Sequence, residues 1–151
     1  MPKLQDLIIT YLDETRMMQV ATCANNQPWC CTVYFSVDNL HNLYWISKPD
    51  RRHSEELRRN PKVAGVIVQP HTPGDKVRGL QFQGLAHQIS DPGEIRTLAE
   101  SYVERFAQHA LAEDMISGAN PQCLYQIKPE TFVLFDELNF PEASRQEWQV
   151  S

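Results

Sequence analysis

Ser47, Lys48, Arg51, Arg52 and His53 bring one hydroxyl and up to four cationic side chains together within seven consecutive residues. An apolar run, Leu43-Tyr44-Trp45-Ile46, precedes them, and a largely charged stretch that closes at Asn60-Pro61 follows. The order predicts a strand that hands over to a helix. The first N–H groups of a helix lack intrahelical partners and its dipole is positive there, so such a junction favours anions. The chain as a whole is acidic, with a formal net charge of -5, so this positive charge is a local concentration. A hydroxyl and basic side chains at a helix start suit a phosphate group, which accepts charge-assisted hydrogen bonds from each of them. A solvated basic turn has the same composition; only the order of strand, hydroxyl, turn and basic helix start favours the phosphate. A phosphate at that point would favour the charged form of His53.

Other reactive residue types show no comparable grouping. His41, His71, His87 and His109 have no ligand spacing, and Cys23, Cys30, Cys31 and Cys123 form no CxxC pair, so no metal site is expected. Neighbouring cysteines in a strand point to opposite faces, which separates Cys30 from Cys31. Four unpaired thiols suit a reducing compartment, and a cytoplasmic location is expected. No nucleophile elbow and no glycine-rich phosphate loop occurs. A pI near 5.5 argues against nucleic acid as the main partner, and no apolar run is long enough to span a bilayer.

The elements that must position the basic junction read as follows. Leu4, Leu7, Ile8, Tyr11 and Leu12 recur at helical spacing and give an N-terminal helix within residues 1–16. Met17 to Ala24, Trp29 to Val37 and Leu43 to Ser47 read as three strands joined by tight turns, an antiparallel meander. Val63 to Val68 and Val77 to Ile89 are further strands, the second with Gly79 and Gly84 inside it, where a bulge, a bend or a close approach is expected. Asp91-Pro92-Gly93-Glu94 is a helix-capping sequence, and an apolar stripe from Ile95 to Phe106 follows it. Ala110 to Ala119 reads ambiguously as a short helix. Gln122 to Ile127 and Thr131 to Asp136 read as two strands separated at Pro129, and residues 137–151 as a polar tail. The expected fold is mainly β (α+β), an antiparallel six- to seven-stranded sheet closed into a β-barrel with peripheral helices, forming one domain over residues 1–151.

The ordered features resemble the pyridoxamine 5′-phosphate oxidase-like superfamily of split-barrel flavin-binding proteins, in particular its small bacterial members. Asn26-Gln27-Pro28-Trp29, Leu43 to Ser47 running into Arg52-His53, Asn60-Pro61-Lys62-Val63 and Gln81-Phe82-Gln83-Gly84 carry the resemblance, over roughly residues 15 to 136. It implies that the β-barrel is a split β-barrel, with FMN in a groove between two identical subunits. The phosphate would be held by Ser47, which follows Ile46, and by Arg52 and His53, with Lys48 and Arg51 adding field. Thr32, Val33 and Tyr34 would lie beside the flavin ring, and Trp29 and Tyr34 are its possible aromatic neighbours. Gln81 is a polar neighbour from the long strand. Phe135 and Arg145 would come from the partner subunit of a homodimer.

The chain departs from the oxidase in two places. Cys31 and Ser36 stand where basic residues are expected, and Pro141 and Ala143 stand where the vitamin substrate would be gripped. The resemblance therefore implies an FMN-dependent oxidoreductase of unknown substrate, and pyridoxamine phosphate is not expected to be that substrate. The alternative is a flavin- or haem-binding protein without turnover.

Overall fold

Asn25 and Asn26 both adopt positive φ, 52° and 60°, the backbone of a two-residue hairpin turn that asparagine tolerates. This turn joins β1 (Met17–Ala24) to β2 (Gln27–Tyr34) in a register that runs from Met17↔Tyr34 to Ala24↔Gln27. The structure, a computed structural model, describes residues 3–150; the expectations for Met1-Pro2 and Ser151 lie outside the described residues. Before the hairpin runs α1 (Leu4–Glu14), which buries Leu7, Ile8, Tyr11 and Leu12.

The expected three-strand meander does not form. At Phe35 the chain turns inward: this ring is fully buried and its N–H donates to the Arg16 carbonyl at 3.0 Å. Only Ser36–Val37 (β3) then pairs with β4 (Leu43–Ser47), and the other edge of β4 pairs with β7 (Cys123–Asp136). The remaining strands are β5 (Lys62–Val68), β6 (Arg78–Ile89) and β8 (Arg145–Gln149). The sheet order is β2-β1-β5-β6-β7-β4-β3, with β8 on β7, and every pairing is antiparallel. The sheet curls around Met18, Trp45, Ile67, Leu80, Phe132 and Leu134. Its first and sixth strands, β2 and β4, come side by side without a hydrogen-bonded ladder between them. That seam is the split in the barrel.

Two details of the strand pattern differ from the sequence reading. Pro129 does not divide the last strand. It sits inside β7 where the register with β6 shifts between Gln83 and Gly84, so the missing N–H falls at an irregularity, where a ladder tolerates it. A Cβ on Gly84 would stand 2.2 Å from the Lys128 carbonyl oxygen. Gly84→Ala is therefore expected to cost about 2 kcal/mol, read as a fall of several degrees in Tm by calorimetry. An unchanged melting point would contradict the close approach. The second difference is β8, in what the sequence suggests is a plain tail. Its one apolar anchor, Trp148, stacks on Phe132 with centroids 5.9 Å apart.

The helices outside the barrel are α2 (Arg52–Arg59), α3 (Pro92–Phe106) and α4 (Leu111–Ser117). The Asp91 carboxylate caps α3 by accepting from the Glu94 N–H at 3.0 Å, as its sequence indicates. Arg105 on α3 donates to the carbonyls of Leu12, Asp13 and Thr15, and so ties α3 to the end of α1. Ala99, Tyr102 and Leu111 pack together next to Ile46, which sets α3 and α4 against the end of the seam. Among the described residues no helix is long and apolar enough to cross a membrane.

Candidate functional site

The seam opens into a cleft of about 370 Å³. β2 lines it with Thr32, Val33 and Tyr34, β4 with Ile46 and Ser47, and the start of α2 with Arg51 and His53. Met17, Tyr102, Gln108 and Gln122 complete the wall. An edge strand, a strand end and a helix start thus converge on one volume. Seven of the twelve residues singled out from the sequence face it.

Ser47 and His53 are both buried, and Ser47 Oγ lies 2.8 Å from His53 Nε2. The turn between them is held locally: Ser54 Oγ donates to the Lys48 carbonyl at 2.9 Å, and the Arg51 N–H donates to the same carbonyl at 3.2 Å. Arg51 occupies the N-cap position of α2, and no side chain caps this helix. Its first N–H groups therefore remain open to an anion from the cleft side. Burial lowers the pKa of the His53 imidazole, the Arg51 charge lowers it further, and the Glu56 carboxylate opposes both.

The basic residues of the junction divide between two environments. Arg52 turns away from the cleft: its Nε donates to Glu56 Oε2 at 2.9 Å, and its guanidinium sits 4.0 Å from the centroid of the Trp29 ring. Glu56 also accepts from Thr22 Oγ1 at 2.9 Å, so the group links α2 to β1 and β2. The Arg52 guanidinium, opposed by burial and helped by Thr22, holds the Glu56 carboxyl below the usual carboxylate range. Lys48 is exposed and does not line the cleft. Glu56, four residues after Arg52, was the readable signal for this pairing, because positions i and i+4 share a helix face.

Gln81 and Arg145 lie elsewhere, in a depression of about 530 Å³ on the outer face of the sheet. Gly65 forms part of its floor, and Arg145 pairs there with Glu147 at 3.1 Å. Phe135 stands in register between Gly79 and Arg145, half-buried, and lines neither cavity. The cleft and the outer depression share no residue within one chain. Trp29 lies under Arg52, whereas Tyr34 faces the cleft and meets Phe106 edge-on at 5.4 Å.

Cys31 and Ser36 are both committed to structure. Burial, helped by the neighbouring Cys30, pushes the Cys31 thiol up to about 11. Ser36 is buried with its hydroxyl 3.1 Å from that of Ser101. The sequence reading missed Met17, Tyr102, Gln108 and Gln122. The last three come from α3, the α3–α4 connection and the approach to β7, which no local pattern links to Ser47.

Comparison with known proteins bears on this geometry. The family model described as pyridoxamine 5′-phosphate oxidase matches residues 4–135. A UPF0306 protein of Pasteurella multocida is 29% identical over 83 residues, covering 54% of this chain and 56% of that protein. The chain thus matches little more than half the length of that relative. Among solved structures, the haem storage protein HutZ of Vibrio cholerae superposes with a TM-score of 0.70 at 21% identity, covering 85% of this chain and 92% of that one. A FAD-binding protein of Mesorhizobium loti gives 0.67 at 19% identity, covering 87% and 92%. At these identities the structural likeness shows the fold.

Proposed function

The chain belongs to the pyridoxamine 5′-phosphate oxidase family, and from that premise we propose that it binds FMN in the cleft between β2 and β4 and works as an oxidoreductase. One observation carries the reading: Ser47, His53 and Arg51 converge with the uncapped start of α2 on the same cleft that Thr32 to Tyr34 line. A hydroxyl, an imidazole, a guanidinium and free helix N–H groups form a donor set that fits a phosphomonoester. The apolar edge beside them, Val33, Tyr34 and Ile46, offers a surface for a ring. When bound, a flavin supplies the electron and hydride chemistry. The chain's own residues hold the phosphate, orient the ring against β2 and shield one side of it with Tyr34 and Tyr102.

The active form in this reading is a homodimer. Gln81 and Arg145 sit on an outer sheet face that also exposes Val66, Val68 and Leu85. A second copy packed there would bring its Arg145 to the cleft of the first. Pyridoxamine phosphate is not the substrate proposed. Pro141 and Ala143, where a substrate grip is expected, are exposed in the β7–β8 turn and offer no side-chain donor.

Purified protein tests the reading directly. FMN binding gives a yellow protein absorbing at about 450 nm, and reduction by NADH or NADPH bleaches it. A Soret band in place of that absorption would support the haem alternative. Colourless protein that quenches no FMN fluorescence would reject the flavin. Light scattering at twice the mass of one chain would support the dimer.

A further inference from the structure

In the cleft, Ser47 and His53 share one hydrogen bond, and its direction decides what the site can offer a ligand. A serine hydroxyl has a single proton to donate. If Ser47 donates to His53 Nε2, at 2.8 Å, nothing remains for a phosphate oxygen. If His53 Nε2 carries a proton, as the neutral Nε2–H tautomer or as the imidazolium, and donates to Ser47 Oγ, the hydroxyl is free to donate into the cleft; only the imidazolium also sets a positive charge beside the phosphate. Both groups are buried, so bulk water does not substitute for either bond.

We infer that His53 takes up a proton when a phosphomonoester enters the cleft, so that His53 donates to Ser47 and Ser47 donates to the phosphate. This rests on the phosphate-binding reading above and goes beyond it, because it makes binding a proton-coupled step. The proton comes from solvent and sits on the imidazole, with no bond in the ligand broken. A lysine or arginine at this position would carry its charge permanently, whereas His53 matches its charge to the occupant.

The groups around His53 point the same way. At the N-cap of α2, Arg51 faces the cleft and repels a second charge while the site holds no anion. Glu56 favours a charged imidazole, but its two oxygens are taken by Arg52 and Thr22. Tyr102 on α3, its phenol pushed up to about 12 by burial and by Tyr34, remains neutral. Tyr34 faces the cleft from β2. Cys123 on β7 stands opposite Ser47 in register, with its thiol raised by burial. Among the described residues no carboxylate lines the cleft, so the group able to stabilise a charged His53 there is the incoming dianion.

The sign follows. The dianion raises the His53 pKa, the complex holds more protons than the free protein, and affinity falls as pH rises. Titrating the full-length protein with FMN between about pH 7 and about pH 8.5 avoids the ligand's own second ionisation near 6. Kd should rise by up to about tenfold per pH unit in that window. Riboflavin, which lacks the phosphate, should bind more weakly and without this slope, and His53→Lys should bind FMN with a flat profile. If His53→Lys does not fold, calorimetry of the wild-type protein in two buffers of different ionisation heat still reads the uptake of a proton. A pH-independent Kd with no proton uptake, while FMN binds more tightly than riboflavin, overturns the inference alone. FMN binding no tighter than riboflavin overturns the phosphate site itself.

Discussion

Arg51→Ala is expected to weaken FMN binding by about 10- to 150-fold, the equivalent of one charge-assisted hydrogen bond of about 1.5–3 kcal/mol to a phosphate. Riboflavin affinity should hardly change. The neighbouring Arg52→Ala should shift FMN affinity far less and should instead lower the melting temperature. The contrast follows from where the two guanidinium groups lie. Arg51 lines the cleft at the N-cap of α2, whereas Arg52 is paired with Glu56 and stacked on Trp29. Removing Arg52 leaves the buried Glu56 carboxylate with Thr22 as its remaining partner, and the contact between α2 and β2 is lost. Fluorescence titrations with FMN and riboflavin, run beside thermal melts, separate the two effects. The reverse result, a tight site in Arg51→Ala and a ruined one in Arg52→Ala, would require the start of α2 to rearrange on binding.

That pair of arginines also shows where reading the chain reaches its limit. The strand-to-helix junction, the strand ahead of Ser47 and the basic helix start were legible, because each depends on neighbours within a few residues. The division of labour between Arg51 and Arg52 was legible only in part, through Glu56 four residues after Arg52. It is decided by Trp29, Thr22 and Glu56, two of which lie more than twenty residues upstream and reach Arg52 only once the hairpin has folded. The second strand failed for a related reason. Trp29 to Val37 is rich in aromatic and β-branched residues throughout, so nothing local marks Phe35 as the residue that leaves one ladder for another. The seam that makes the cleft exists because of that departure. β8 escaped notice because Arg145 to Gln149 carries a single apolar side chain, and an edge strand with one anchored face shows little period. The resemblance implied a role for Arg145 without implying the strand that holds it.

That strand depends on Asp136, and Asp136→Ala is expected to destabilise the protein by about 4 kcal/mol, a fall of about 10 °C in Tm. The carboxylate is fully buried at the end of β7. It accepts from the Tyr11 hydroxyl on α1, from Asn139 Nδ2 at 2.7 Å, and from the backbone N–H groups of Leu138 and Asn139 at 3.0 and 2.8 Å. Alanine would leave four donors without their acceptor, at about 1 kcal/mol each. Burial alone would raise the carboxyl pKa, but these hydrogen bonds outweigh it and hold it below the usual carboxylate range. The folded value is thus depressed. Its contribution is full above the unfolded pKa of about 4 and disappears as pH falls through the lower folded value. Melts from neutral pH down to about 3 should therefore steepen in the wild-type protein and flatten in Asp136→Asn. The loss should not stay local. The Asp136 N–H donates to the Ser144 carbonyl at 2.8 Å, and residues 137–144 form the turn that aims Arg145 at the outer depression. Amide exchange in β8 should accelerate in Asp136→Ala more than exchange in the β1–β2 hairpin. Uniform acceleration would instead mean that the turn and β8 unfold only with the whole barrel.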